Sequence, residues 1–280
     1  MEITKRIEQY RKDLTLKNYA QSSIDNYVSQ VTNFLYAHNE KFTDASRINE
    51  TAIKNWLLEA KTINARKHRL SAIKLFYQLT IKQSLKFKHI EYPRSEKKLP
   101  IVLSQEEMQK MFDVCENTKH KVILAILYAC GLRVSELINL KWSDIDRARM
   151  IINIIQAKGN KDRQVMLPES LLPLLEKYCK EYDLQKSIYV LTGQNNAEQY
   201  SSKSVGNVIK QLAEKAGINK RVYTHLMRHN CFTHMVENGV DINLIQRLAG
   251  HNSAKTTAIY THISHNIVRK IQSPINNIKL

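Results

Sequence analysis

Through the first ninety residues, apolar side chains recur every three or four positions with polar ones between them, the pattern of helices that each bury one stripe. Ile24, Tyr27, Val28, Val31, Phe34 and Leu35 make one such stripe, with Ser22 or Ser23 placed to cap its first turn. Ile53, Trp56 and Leu57 mark a second helix around Ala52 to Leu58. Leu70, Ile73, Phe76 and Tyr77 mark a third from about Ile63 to Leu79. Short helices with facing stripes bury them against one another, so residues 1–90 are predicted to form a small helical domain. From Glu91 to Pro100 the text carries two prolines, many charges and little to bury. Residues 91–99 therefore read as a linker, and a hinge there would let two domains close on a common partner.

The second pattern starts abruptly. Ser104 and Glu107 have the spacing of a capping box ahead of Met108, Met111, Phe112 and Cys115. Val122 to Ala129 is apolar on nearly every side, which predicts a central buried helix that Gly131 ends, with Arg133 next after the turn. Met150 to Ile155 and Gln164 to Leu167 flank Lys158-Gly159-Asn160-Lys161-Asp162, which reads as a β-hairpin with Lys158 on its tip or shoulder. Helical periodicity resumes over Ser170 to Tyr182, over Lys203 to Ala216, and through the His225 segment to Gly239. Asp241 and Ser253 are candidate N-caps beyond it. The fold class expected is mainly α with a small antiparallel β-sheet, residues 100–280 forming the second, mixed α/β domain. No internal repeat or low-complexity tract interrupts it.

Charge changes the picture. The 280 residues carry 43 Lys plus Arg against 26 Asp plus Glu, a formal +17, with an isoelectric point near 9.6. Through residue 99 there are 19 basic and 10 acidic residues, and beyond it 24 against 16. Both halves are thus cationic, as expected of two domains that grip one polyanion from two sides. Asn64-Ala65-Arg66-Lys67-His68-Arg69 opens the third helix with a basic turn suited to phosphate contacts. Cys115, Cys130, Cys179 and Cys231 show no Cys-x-x-Cys pairing. Together with the lack of a signal-peptide pattern or of a long apolar run, they point to a reduced, cytoplasmic setting and away from a membrane.

Candidate chemistry lies in separated blocks. His225, Arg228 and His229 fall at i, i+3 and i+4 and so share a helix face. Gly131-Leu132-Arg133-Val134-Ser135-Glu136 precedes them, and Gly250-His251 and then Thr256-Thr257-Ala258-Ile259-Tyr260-Thr261-His262 follow. A phosphodiester resists attack because negative charge on its non-bridging oxygens grows toward the transition state. Arg133 and Arg228 answer this with guanidinium groups that stay ionised and offer paired N–H donors. A phenol has a reference pKa of about 10 and needs a base near neutrality, for which His225 is the candidate. His225 and His229 also have zinc-site spacing, but Leu226 stands where a zinc hydrolase needs glutamate, so no metal is expected.

Arg133, Lys158, His225, Arg228, His251 and Tyr260, in this order and spacing, resemble the tyrosine recombinase (phage integrase) family, and within it the Xer-like members. The resemblance implies a helical, SAM-like core-binding domain that holds the duplex, followed by a catalytic domain. It implies that Tyr260 attacks the DNA backbone to leave a 3′-phosphotyrosine and a 5′ hydroxyl, with no metal or ATP. Lys158 would act as general acid, and His251 would hydrogen-bond a phosphate oxygen. Arg66, Lys67, Arg69, Lys161 and Lys203 are the DNA contacts expected. A site-specific recombinase of this kind works as a homo-tetramer on two duplexes, with room for accessory recombination proteins. The apolar stripe Ile263, Ile267, Val268, Ile271 and Ile275 would dock on a neighbouring subunit or on its own domain. Two alternatives share many of these residues: type IB topoisomerase-like strand relaxation, and a non-catalytic DNA-binding regulator on an integrase scaffold. Thr224, Met227, Cys231-Phe232 and Ala249 depart from the family's usual text at packing positions, where compensated changes are tolerated.

Overall fold

The computed structural model describes residues 2–42, 44–84, 86–94, 101–155, 162–193, 199–250, 257 and 260. Lys158, Lys161, His251, Ser253 and the stripe from Ile263 to Ile275 lie outside them. The chain divides into two compact units, Met1–Lys97 and Lys98–Leu280.

The first unit is a helical bundle of α1 (Ile3–Leu16), α2 (Gln21–His38), α3 (Glu50–Leu58) and α4 (Ile63–Leu79). The stripe predicted in α2 is buried through Ile24, Val28, Val31, Phe34 and Leu35. Its cap is not the one expected: the helix begins at Gln21 with Ala20 as N-cap and no side-chain hydrogen bond there, so Ser22 and Ser23 lie inside the first turn. Asn49 and Thr62 cap α3 and α4 instead, accepting from the backbone N–H groups of Ala52 and Ala65. The periodicity reading left α1 unassigned. It buries only Ile3, Tyr10 and Leu14 among many charges, and Tyr10 fixes it by packing edge-on to Phe76 at 5.3 Å and donating to the Ala72 carbonyl.

In the second unit the capping box of Ser104 and Glu107 opens α5 (Gln105–Asp113) with both reciprocal hydrogen bonds present. Helix α6 (Thr118–Ala129) is the central one, buried from Val122 through Leu127. Each of those large side chains contributes roughly 1.5–3 kcal/mol of burial. Cys130 closes α6, and Gly131 turns the chain at φ +60° into α7 (Val134–Ile138). A Cβ on Gly131 would stand 2.7 Å from Phe232 Cζ, so both the turn and the packing require glycine. The antiparallel sheet runs in the order β1 (Ile145–Asp146), β2 (Ile151–Ile154), β3 (Arg163–Met166). The predicted hairpin is β2–β3, with Ile154 opposite Arg163; β1 adds a strand too short to show alternation.

Then come α8 (Leu172–Glu181), α9 (Ser202–Lys215), α10 (Thr224–Glu237) and α11 (Ile242–Ala249). Asp241 caps α11 as predicted, accepting from the Asn243 and Leu244 backbone N–H groups. Helix α10 packs on α6 and α11, and α11 also packs on β3. The C-terminal ends of α6 and α11 and the N-terminal half of α10 thereby meet beside the start of β3. No helix among the described residues is long and apolar enough to cross a membrane.

Candidate active site

Two arginines from distant parts of the chain share one carboxylate, and a third closes beside them. Arg133 is the N-cap residue of α7. The Glu136 side chain accepts from its backbone N–H at 2.8 Å and from its Nη1 at 2.7 Å. Arg163, on the first position of β3, grips the same carboxylate with both terminal nitrogens, 2.7 Å to Oε1 and 2.7 Å to Oε2. Arg228, on α10, donates through Nη1 to the Gly131 carbonyl at 2.5 Å and through Nη2 to the Ala249 carbonyl.

The end of α11 completes the cluster. A helix leaves its last carbonyls without intrahelical partners and carries partial negative charge there. The Ala249 carbonyl accepts from Arg228 and, at 3.4 Å, from Arg133, while the Leu248 carbonyl accepts from Arg163 Nε at 2.9 Å. Gly250 then leaves α11 in the left-handed region at φ +60° and leads to His251.

Electrostatics sharpen the roles. Burial pushes the Glu136 carboxyl up, but hydrogen bonds from Arg163, the Arg133 N–H and the Arg133 side chain outweigh it and hold the pKa at about 2. Among the described residues, three guanidinium groups stand against one carboxylate in the cluster, an excess of two positive charges. Burial, then Arg133, bring the Arg228 pKa down to about 10, which still leaves it charged near neutrality. That excess of charge suits the cluster to an anion.

A predicted consequence concerns acid stability. The folded pKa of Glu136 lies below its ordinary value of 4.5, so its contribution is fully present above that value and is lost as pH falls toward about 2. With its side chain 6% exposed and a displacement of two to three units, that contribution is on the order of 3 kcal/mol. Melting curves of wild type and Glu136→Gln between pH 5 and pH 2 check this: the wild type should lose the larger share of its melting temperature, and parallel curves would contradict it.

Tyr260 lies against this cluster. Its ring centroid is 5.7 Å from Phe232 and 5.8 Å from His229, and Arg228 stacks on Phe232 from 4.9 Å. Burial raises its phenol to about 12, Arg228 pulls it down, Cys231 raises it, and Arg133 again lowers it. Tyr260 and Arg228 are each only 1% exposed, so both are closed off from solvent. The N-terminal turn of α10 presents His225 at the rim. Packing around its ring, then Arg228 and Arg133, lower its pKa, so it is neutral and able to accept a proton at neutral pH.

The His229 ring lies edge-on to His225 at 4.5 Å and on the other side faces Tyr260. Burial first, then His225 and Arg228, lower its pKa to about 4. It is a neutral spacer between candidate base and nucleophile. His234 is structural, bonded to Tyr128 Oη and to the Leu103 carbonyl.

Of the predicted DNA contacts, Arg66 and Arg69 are tied to the α3–α4 turn. Arg66 Nε donates to the Ala60 carbonyl at 3.3 Å; Arg69 Nη1 donates to the Trp56 carbonyl at 2.5 Å and stacks on the Trp56 ring at 4.3 Å. Lys67 lies between them on α4, and Lys203 is exposed in the first turn of α9. The residue the sequence reading missed is Arg163. The signal was there: in an alternating strand it shares the inward face with buried Val165, where a charge requires a partner.

The chain belongs to the phage integrase family of tyrosine recombinases. The Phage integrase family model matches residues 102–266, and the N-terminal SAM-like domain model of the same family matches residues 7–84. Tyrosine recombinase XerD of Oceanobacillus iheyensis is 31% identical over 281 residues, covering 92% of this chain and 91% of the relative. Tyrosine recombinase XerA of Pyrococcus furiosus is 32% identical over 268 residues, covering 92% and 89%. Among solved structures, XerA recombinase aligns over 96% of this chain and 97% of its own at 28% identity and a TM-score of 0.57. XerH site-specific recombinase bound to palindromic difH, in a post-cleavage complex, covers 94% and 83% at 22% identity and 0.74, a likeness of fold.

Proposed function

We propose that the chain is a site-specific DNA recombinase that cuts and rejoins strands through a 3′-phosphotyrosine at Tyr260. The convergence of Arg133 and Arg228, with Glu136 and the end of α11 orienting them and Tyr260 packed alongside, is the observation that carries this reading. A net positive, prearranged donor set matches the charge that grows on a phosphate under attack. His225 takes the phenolic proton, Lys158 returns one to the leaving 5′ oxygen, and His251 binds a phosphate oxygen. The new ester stores the energy of the broken one, so a second 5′ hydroxyl reverses the step without ATP.

Residues 1–90 hold the duplex, 91–99 link, and 100–280 carry the chemistry. Lys67, Lys161 and Lys203 contact phosphates, with Arg66 and Arg69 shaping the turn beside Lys67. Exchange of four strands takes four sites, hence a homo-tetramer on two duplexes. The charge and the unpaired cysteines fit work on DNA in the cytoplasm.

The experiment is strand exchange between two labelled duplexes that carry the cognate site, run beside relaxation of a supercoiled plasmid lacking it. Exchange confined to the site supports the proposal. Relaxation without exchange assigns the site to topoisomerase chemistry, and binding without any cleavage leaves a regulator. Affinity for DNA should fall steeply with added salt as contacted phosphates take back counterions; a flat response contradicts the two-domain grip.

A further inference from the structure

We infer that Arg163 is a positioning residue that ties β3, the Arg133 clamp and the C-terminal end of α11 into one frame. The inference rests on the recombinase reading for its readout. Arg163 is the first residue of β3, which pairs antiparallel with β2. Its side chain is 8% exposed, and all three guanidinium nitrogens donate to protein acceptors: Nη1 and Nη2 to Glu136, Nε to the Leu248 carbonyl. Engaged in this way, it acts on the reaction through the groups it holds, Glu136 and the end of α11.

What it holds gives it that role. Glu136 Oε1 accepts from Arg163 and Arg133 at 2.7 Å each, so the carboxylate that aims Arg133 is itself aimed by Arg163. The Leu248 carbonyl stands in the last turn of α11, one residue before the Ala249 carbonyl on which Arg228 and Arg133 close. The aliphatic stem of Arg163 lies where a Cβ on Gly250 would come within 3.0 Å, so it packs under the turn that precedes His251. One side chain thus ties the strand after the Lys158 hairpin to both arginine donors. Lysine keeps the charge but has a single point donor and cannot make the fork to Glu136 and the bond to Leu248 together.

The test uses the full chain and a nicked duplex carrying the cognate site, which traps the covalent adduct in one turnover. Arg163→Lys should slow adduct formation by about 10- to 100-fold, the usual loss when a supporting contact to a reacting group is removed. DNA affinity, read well below the melting transition, should stay close to wild type, while the melting temperature falls by the part of the buried Glu136 network that lysine cannot keep. In Arg163→Ala, added ethylguanidinium should restore part of the rate, which a merely structural loss would not allow. Combining Arg163→Lys with Glu136→Gln should cost little more than either alone, since both break one network. Adduct formation by Arg163→Lys at the wild-type rate overturns the inference, as does a loss that tracks affinity with no rescue. If the wild-type chain itself forms no adduct, it is the recombinase reading that fails, and the inference with it.

Discussion

Tyr260→Phe should bind the cognate duplex as wild type does and form no detectable covalent adduct with it. Loss of an enzymatic nucleophile costs on the order of 10⁶ in rate, which for a slow strand exchange means silence. The substitution removes one oxygen from a side chain that packs on Phe232 and His229, so the ring's contacts survive. Loss of the buried hydroxyl's own hydrogen bonding costs about 1 kcal/mol, small enough for the variant to fold. The environment of the phenol explains why a base is needed. Burial outweighs the pull of Arg228 and Arg133 and leaves the pKa near 12, so spontaneous ionisation near neutrality is negligible. Movement of Tyr260 out of its apolar cover toward the arginines reverses that balance, and the neutral imidazole of His225 at the rim can take the proton. Gel-shift titration and denaturing-gel detection of the adduct, run on one preparation, check both halves. A Tyr260→Phe protein that still links to DNA contradicts the account.

Arg228→Lys carries the second large effect. Among the described residues Arg228 donates one hydrogen bond from each terminal nitrogen, to the Gly131 and Ala249 carbonyls, and so has further N–H groups to offer a phosphate. Lysine retains the charge but not the planar fork that serves two carbonyls and an anion at once. By comparison with the removal of one oxyanion donor elsewhere, adduct formation should fall by about 10² to 10³, with a smaller change in DNA affinity. Arg228→Ala is the less informative variant, because it strands two carbonyls at about 1–3 kcal/mol each and so merges folding with chemistry. Single-turnover rates with saturating protein isolate the chemical step. An unchanged rate for Arg228→Lys would remove this residue from the clamp.

Much of the architecture was legible because local and global signals agreed. Ser104 and Glu107 announced α5, the all-round apolar run from Val122 announced a buried α6, and β-branched residues either side of Lys158 announced the hairpin. Helix α1 escaped because three buried side chains among fourteen residues make a thin stripe, and its place is set by Tyr10 reaching α4, a contact across sixty residues of sequence. Ser22 and Ser23 misled for a different reason: a hydroxyl suited to capping says nothing of which residue takes the extended conformation, and Ala20 does.

In the site, residue types disclosed the candidate nucleophile and guanidinium groups but not their supports. Arg163 shares its strand face with Val165, which marks it as turned inward, but its partner Glu136 lies far off in sequence and only the folded structure shows it. The place of His229 between His225 and Tyr260 depends on where the chain beyond α11 returns, which helical spacing on α10 cannot report. The burial of Tyr260 is likewise a tertiary fact. If Tyr260 is the nucleophile proposed here, its burial requires a step that uncovers it before cleavage, and no motif encodes that.

The most direct measurement is to trap the wild-type chain on a nicked cognate duplex, digest the adduct with protease and nuclease, and locate the remaining nucleotide by mass spectrometry. The account predicts a single modified peptide with a 3′-linked nucleotide on the oxygen of Tyr260. A nucleotide on any other residue, or a 5′ linkage, would contradict it.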